Sequence, residues 1–303
     1  YYNDWYTTDR MGLVAVGNVD PAALVPLIEE YFGDMPDAAG LPDPDNGAIA
    51  APGTYYKLHT EEEAPLTTVS IQIVRPEYNP EDTFEKRTKD LSISLANRII
   101  NRRLEVLSKE EGAPFVSGNA YSGAFLDWVY NATIEMQTQP ENWQATLAVA
   151  EQQLRKALRF GFTRAELEEA RANVLNGLEE SVRAMETRRS RGLANRLTSS
   201  INGHDVFTNP EQNLAYLRPH LESITLEEVH EAFKEAWSAQ SRFVFVSGNL
   251  DLEQPQAMLS AAMEESMQVA VTAPEEEAIG AFAYTDFGES GKVVKRETIE
   301  DLD

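Results

Sequence analysis

The chain has no cysteine, so it can build neither a disulfide framework nor a Cys-based zinc site, and it offers no thiol nucleophile. This absence leaves the redox compartment open, because an oxidising environment tolerates a cysteine-free chain as readily as a reducing one. Histidine is scarce as well, with four in 303 residues. His59 stands in "HTEEE" beside three carboxylates, but a zinc site on a helix needs a second histidine one turn away, and none follows. The segment reads as surface charge. His220 and His230 flank a helix start at Thr225 and are expected on helix surfaces, while His204 lies in the Gly-containing loop "INGHD". No pair fits H-E-x-x-H or H-x-x-E-H. There is no G-x-S-x-G elbow and no Walker loop, so no catalytic, metal-ligating or cofactor-binding residue is assigned to this chain.

Basic residues are outnumbered, 26 Lys plus Arg against 50 Asp plus Glu, for a formal net charge of -24. Such a surface repels phosphate backbones and anionic headgroups, which excludes nucleic acid as a partner class. The acid serves solubility or a salty habitat, with a preference for basic ligands as the alternative. Long apolar runs are missing too: none approaches the ~20 residues that a membrane helix requires, and no membrane insertion is expected.

What is present is an echo. "VAVGNVD" at residues 14 to 20 returns as "FVSGNLD" at residues 245 to 251. In the first copy "LVAV" is a short β-branched run, Gly17 and Asn18 make a turn, and Asp20 before Pro21 is a helix start. Leu24, Leu27, Ile28, Tyr31 and Phe32 then form an apolar stripe that Gly33 ends. The second copy has "RFVFV" as its strand, Gly248 and Asn249 at the turn, Asp251 as the cap, and Leu259, Ala262, Met263 and Met267 as the stripe. Upstream of each copy stands a tryptophan, Trp5 and Trp237, so the opening "YYNDW" corresponds to "FKEAW", the last turn of a helix whose start is missing. The beginning of the chain reads as a cut. Residues 1–38 are therefore expected to be the tail of one domain copy, 39–54 a linker, 55–268 a second and complete copy, and 269–303 a connector toward a following domain.

Within the complete copy, the pattern predicts a strand around Leu66 to Val74 and a long helix around Thr83 to Leu107. Two strands are predicted in "GNAYSGAFLDWVYNATIEMQT" and a helix from Glu141 to Phe160 stopped by Gly161. Thr163 with Glu166, and Thr225 with Glu228, are capping boxes opening two further helices. The first carries Leu167, Ala170, Val174, Leu178 and Val182 on one side; the second carries Val229, Ala232, Phe233, Ala236 and Trp237. This order implies an α+β fold, a mostly antiparallel sheet with helices packed on one face. Arg188, Arg189, Arg191 and Arg196 cluster unusually for so acidic a chain. Internal pairing with surplus carboxylates is the plain reading, and contact with an acidic substrate or a partner domain is the alternative. "NAT" at Asn131 matches a glycosylation sequon but falls inside a predicted strand.

These segments resemble the pitrilysin/insulinase family of zinc metallopeptidases, the inverzincins. "YYNDWYTTDRMGLVAVGNVDPAALVPLIEEYFGDMP" looks like the segment closing the family's catalytic domain, and "GFTRAELEEARANVLNGLEES" is similar to a helix of its non-catalytic domain. "FAYTDFGESGKVVKRETIEDLD" resembles the connector of long bacterial members. The resemblance implies the mitochondrial processing peptidase-like metallohydrolase fold, repeated, with active and inactive copies around a closed chamber. It also implies zinc in the parent protein and a periplasmic or cell-envelope location. The H-x-x-E-H helix lies upstream of Tyr1 in such proteins, so metal and catalysis do not carry over to this chain. What does carry over is a non-catalytic, chamber-forming, substrate-holding domain, partnered by a catalytic domain of the same polypeptide and by peptide substrates. A non-proteolytic scaffold or assembly subunit is the alternative. "GNAYSGAFLDWVY" resembles the family's substrate-pairing edge strand, which places Asn119, Ala120 and Tyr121 at the equivalent edge.

Overall fold

The computed structural model describes residues 5–35, 47, 49, 51–76, 81–125, 128–276, 288–289 and 291–295. Its centre is one five-stranded sheet, β1 (Gly53–Thr60), β2 (Thr67–Pro76), β3 (Ser117–Phe125), β4 (Val129–Thr138) and β5 (Ser241–Gly248), ordered β1-β5-β2-β4-β3. The β1–β5 pair is parallel and the other three are antiparallel. Alternation along the strands sorts the two faces. Val69, Ile71 and Ile73 of β2, Ala132, Ile134 and Met136 of β4, and Val244 and Val246 of β5 are buried on one side. Each large aliphatic among them contributes roughly 1.5–3 kcal/mol by leaving water. The other side carries Ser70, Gln72, Thr133 and Glu135, with Tyr55 stacked on Phe243 at 5.1 Å.

Eight α-helices occur among the described residues: α1 (Pro21–Phe32), α2 (Phe84–Ser108), α3 (Trp143–Phe160), α4 (Arg164–Arg183), α5 (Ser190–Asn202), α6 (Pro210–Ser223), α7 (Leu226–Ala236) and α8 (Pro255–Gln268). The apolar face of the sheet is covered by α2 over β3, α3 over β2 and β4, and α8 over β1, while α7 packs on α2 and α6 on α4. The predicted α+β layering is the observed one. Helix starts follow the predicted chemistry. Thr83 Oγ1 accepts from Lys86 N at 3.2 Å to open α2, and both capping boxes form, Thr163 with Glu166 and Thr225 with Glu228. Gly161 ends α3 at φ 71, a conformation that a Cβ would strain.

An Arg103–Glu166 fork ties α2 to the start of α4, with Nε at 2.5 Å and Nη2 at 2.8 Å from the two carboxylate oxygens, and Nη2 also donating to Gly161 O at 3.1 Å. Burial pushes the Glu166 carboxyl upward, but Arg103 and the Thr163 N–H hold it below its ordinary value.

Five expectations need correction. The strand expected at Leu13–Val16 forms no ladder, because the sheet has no strand beside it at either edge among the described residues. β1 was not predicted and begins inside the expected linker, at Gly53. Asp251 does not cap α8: the N-cap is Gln254, which gives no side-chain bond, and Pro255 sets the start. In the α8 stripe Met267 is exposed and Ser266 is buried in its place. His230 is not a simple surface residue either, since its Nε2 lies 3.0 Å from Leu158 O and fixes α7 to α3. The connector expected at 269–303 lies largely outside the described residues.

Candidate functional site

The β3 strand is one edge of the sheet, and α2 runs alongside it. Between them opens a cleft of about 600 Å³ lined by Lys86, Asp90, Asn97, Arg98 and residues 119–124. The helix presents Asn97, Asn101 and Leu104 to the strand, at positions i, i+4 and i+7 of one face. Each meets β3 at a different level. Asn97 Nδ2 donates to Ser122 Oγ at 2.9 Å, and Leu104 stands where a Cβ on Gly118 would touch it at 3.0 Å.

Asn101 makes the most specific contact. Its Oδ1 accepts from Ala120 N at 2.5 Å and its Nδ2 donates to Ala120 O at 3.1 Å. In an antiparallel ladder alternate residues turn both backbone groups outward. Ala120 is therefore an outward-facing residue, and the Asn101 amide pairs with it as a peptide unit of an added strand would. The side chain is a one-residue surrogate strand. By the same alternation Asn119 and Tyr121 direct their backbone groups to Glu135 and Thr133 of β4 and place their exposed side chains on the helix-free face of the sheet. Of the three residues expected at a pairing edge, only Ala120 offers outward backbone groups, and Gly118, Ser122 and Ala124 complete that row.

The electrostatics of the cleft are mixed. Lys86 Nζ lies 3.1 Å from Asp90 Oδ2; burial works to lower the ammonium, and the neighbouring Asp90 outweighs it and holds it above its ordinary value. Asn97 is 8% exposed, and its Oδ1 has no hydrogen-bond partner. With one carboxylate, no histidine and several amides, this donor set does not fit zinc. Among the described residues no three His, Asp or Glu side chains are placed to hold a metal ion, and no helix is long and apolar enough to cross a membrane. What the cleft can do is exchange hydrogen bonds with a peptide backbone.

Neither Asn97 nor Asn101 was found from the sequence. The signal was available: Asn disfavours helix interiors, and here two lie on a stripe that is otherwise Ile93, Ala96, Ile100 and Leu104. The expected internal pairing of the Arg188, Arg189, Arg191 and Arg196 cluster is not seen, because none makes an ion pair among the described residues.

Residues 1–174 match the family profile of the peptidase M16 inactive domain. The chain is 20% identical over 266 residues to the "Probable zinc protease PqqL" of Escherichia coli K12, covering 87% of this chain and 28% of that protein. A zinc protease of Mycobacterium bovis described as uncharacterised is 25% identical over 231 residues, 74% of this chain and 49% of that one. The chain thus spans less than half the length of either curated relative. Among solved structures, the first half of the periplasmic protease PqqL from Escherichia coli superposes with a TM-score of 0.74 at 19% identity, over 90% of this chain and 59% of that one. At that identity the likeness establishes the fold.

Proposed function

Since the chain belongs to the peptidase M16 inactive-domain family, we propose that it forms a non-catalytic wall of the substrate chamber of a zinc-dependent endopeptidase and holds peptide there. Catalysis is left to a zinc-bearing domain of the same polypeptide. The observation that carries this reading is the β3 edge with the Asn101 amide seated on Ala120. A substrate strand replaces that amide with one of its own, so hydrogen bonds are exchanged like for like, and affinity does not depend on substrate side chains. Each backbone bond contributes on the order of 1 kcal/mol net, so three or four give only weak, roughly millimolar binding to this domain alone.

Residues 1–38 belong, in this reading, to the domain that precedes it. The α1 helix buries no side chain, and its stripe suits the core of a neighbouring sheet. A periplasmic location is carried over from PqqL, which is described as periplasmic. The test uses the full-length parent with Ala120→Pro, which removes the donor at the edge. The expected result is a raised KM with unchanged zinc content. Unchanged kinetics with zinc intact, or a parent lacking H-x-x-E-H upstream of Tyr1, contradicts the proposal.

A further inference from the structure

Five arginines, Arg183, Arg188, Arg189, Arg191 and Arg196, lie within one stretch whose only acidic residue is Glu186. All five are exposed. Many cations elsewhere in this chain find carboxylates, though isolated ones such as Arg98 and Arg242 do not among the described residues. Arg87 pairs with Asp82, Arg103 with Glu166, Arg155 with Glu151, and Arg218 with Glu179. With roughly two acids for every base in the sequence, chance alone favours such pairing. The five arginines escape it. The contacts they do make are of other kinds: Arg188 Nε donates to Met185 O at 2.9 Å, and Arg196 stands 5.8 Å above the Phe207 ring.

Chain connectivity alone keeps Arg188, Arg189 and Arg191 close, with Cα atoms no more than about 11 Å apart. Arg188 and Arg189 are extended, at φ -63, ψ 136 and φ -71, ψ 135, and α5 begins immediately after them. Arg189 is the N-cap of α5 and supplies no acceptor, and no acidic residue stands in the first turn. Cations at the positive end of a helix are disfavoured, and among the described residues no carboxylate pairs with them.

We infer that Arg188, Arg189 and Arg191 form a docking surface for a carboxylate-rich segment of another polypeptide. Guanidinium groups bind carboxylates through paired N–H donors, which supplies the complementarity. Nucleic acid is a poor occupant. It carries a charge every ~1.7 Å along a stiff axis and would run off the patch onto a surface of net charge -24. A short acidic peptide stays within the ~8–10 Å over which the patch is felt before salt screens it. This surface lies outside the α2–β3 cleft, and the inference does not depend on the peptide-holding reading.

The test is fluorescence anisotropy on the 303-residue chain with a labelled Glu-rich peptide, its Gln counterpart and inorganic tripolyphosphate. The Glu peptide is expected to bind at least about tenfold more tightly than the Gln peptide, and to weaken as salt rises from about 50 to 200 mM. R188Q/R189Q/R191Q abolishes the preference. R102Q/K109Q, which removes cations already paired with Glu105, preserves it. Melting curves confirm that both variants are folded. Equal binding of the two peptides, an unaffected triple variant, or tripolyphosphate binding that outcompetes the Glu peptide overturns the inference. So does sedimentation showing an Arg-dependent dimer, because the occupant is then a second copy of the chain.

Discussion

The two segments that echo each other in sequence, Met11–Phe32 and Ser241–Gln268, end in very different surroundings. In the second, β5 pairs with β1 on one side and β2 on the other, and Val244, Val246 and Leu259 are fully buried. In the first, Leu13 is 55% exposed, Leu27 48% and Tyr31 73%; residues 11–16 make no ladder, yet α1 forms with Asp20 Oδ1 accepting from Ala22 N at 3.0 Å. A helix satisfies its own backbone, and a strand does not. The same local grammar therefore gives a helix in both places and a strand only where neighbouring strands exist.

The largest expected effect separates the two stripes directly. Leu259→Ala opens a cavity in the core and is expected to cost about 2–5 kcal/mol in urea unfolding, whereas Leu27→Ala is expected to stay within about 0.5 kcal/mol in this chain. Equal effects would mean that α1 is packed after all. Next comes Arg103→Met, which strands Glu166 and is expected to cost about 1.5–3 kcal/mol. Glu166 has a folded pKa below its unfolded one. The stability it contributes is thus present above the unfolded value of about 4.3 and is lost as pH falls through the lower folded value. The variant should lose that segment of the pH–stability curve, and a curve parallel to the parent's would remove the ion pair from the account. Smaller still is Asn101→Ala, at about 1–2 kcal/mol for two hydrogen bonds whose Ala120 partners face the cleft. The smallest pair sharpens the comparison at the helix starts. Asp20→Ala should fray α1 by about 1 kcal/mol in hydrogen exchange, and Asp251→Ala should leave α8 unchanged because it caps nothing.

Much of the fold was legible because its signals are local. Thr163, Thr225 and Gly161 act within a few residues of themselves, and the period-3.6 stripe of α7 is buried as the sequence predicts. β1 was missed because Tyr55, Lys57 and His59 face out, leaving only Tyr56 and Leu58 against the core. Its parallel pairing with β5, nearly two hundred residues away, leaves no local trace. The site was half legible. "GNAYSGAF" pointed to an edge strand, and β3 is one. Which residue turns its backbone outward, and that Asn101 meets it, depends on register and on helix placement that no single segment encodes. The arginine cluster stood out in composition, but whether carboxylates lie near it is a question of tertiary structure.

The most direct test of the central claim is an amide NMR titration of the chain with an unstructured peptide, in the parent sequence and in Asn101→Ala. The account predicts shifts confined to residues 118–124 and the facing turns of α2, millimolar affinity, and tighter binding once the competing Asn101 amide is gone. Shifts at the opposite edge, β1, or no shifts at any accessible peptide concentration, or weaker binding in a folded Asn101→Ala variant, would contradict it.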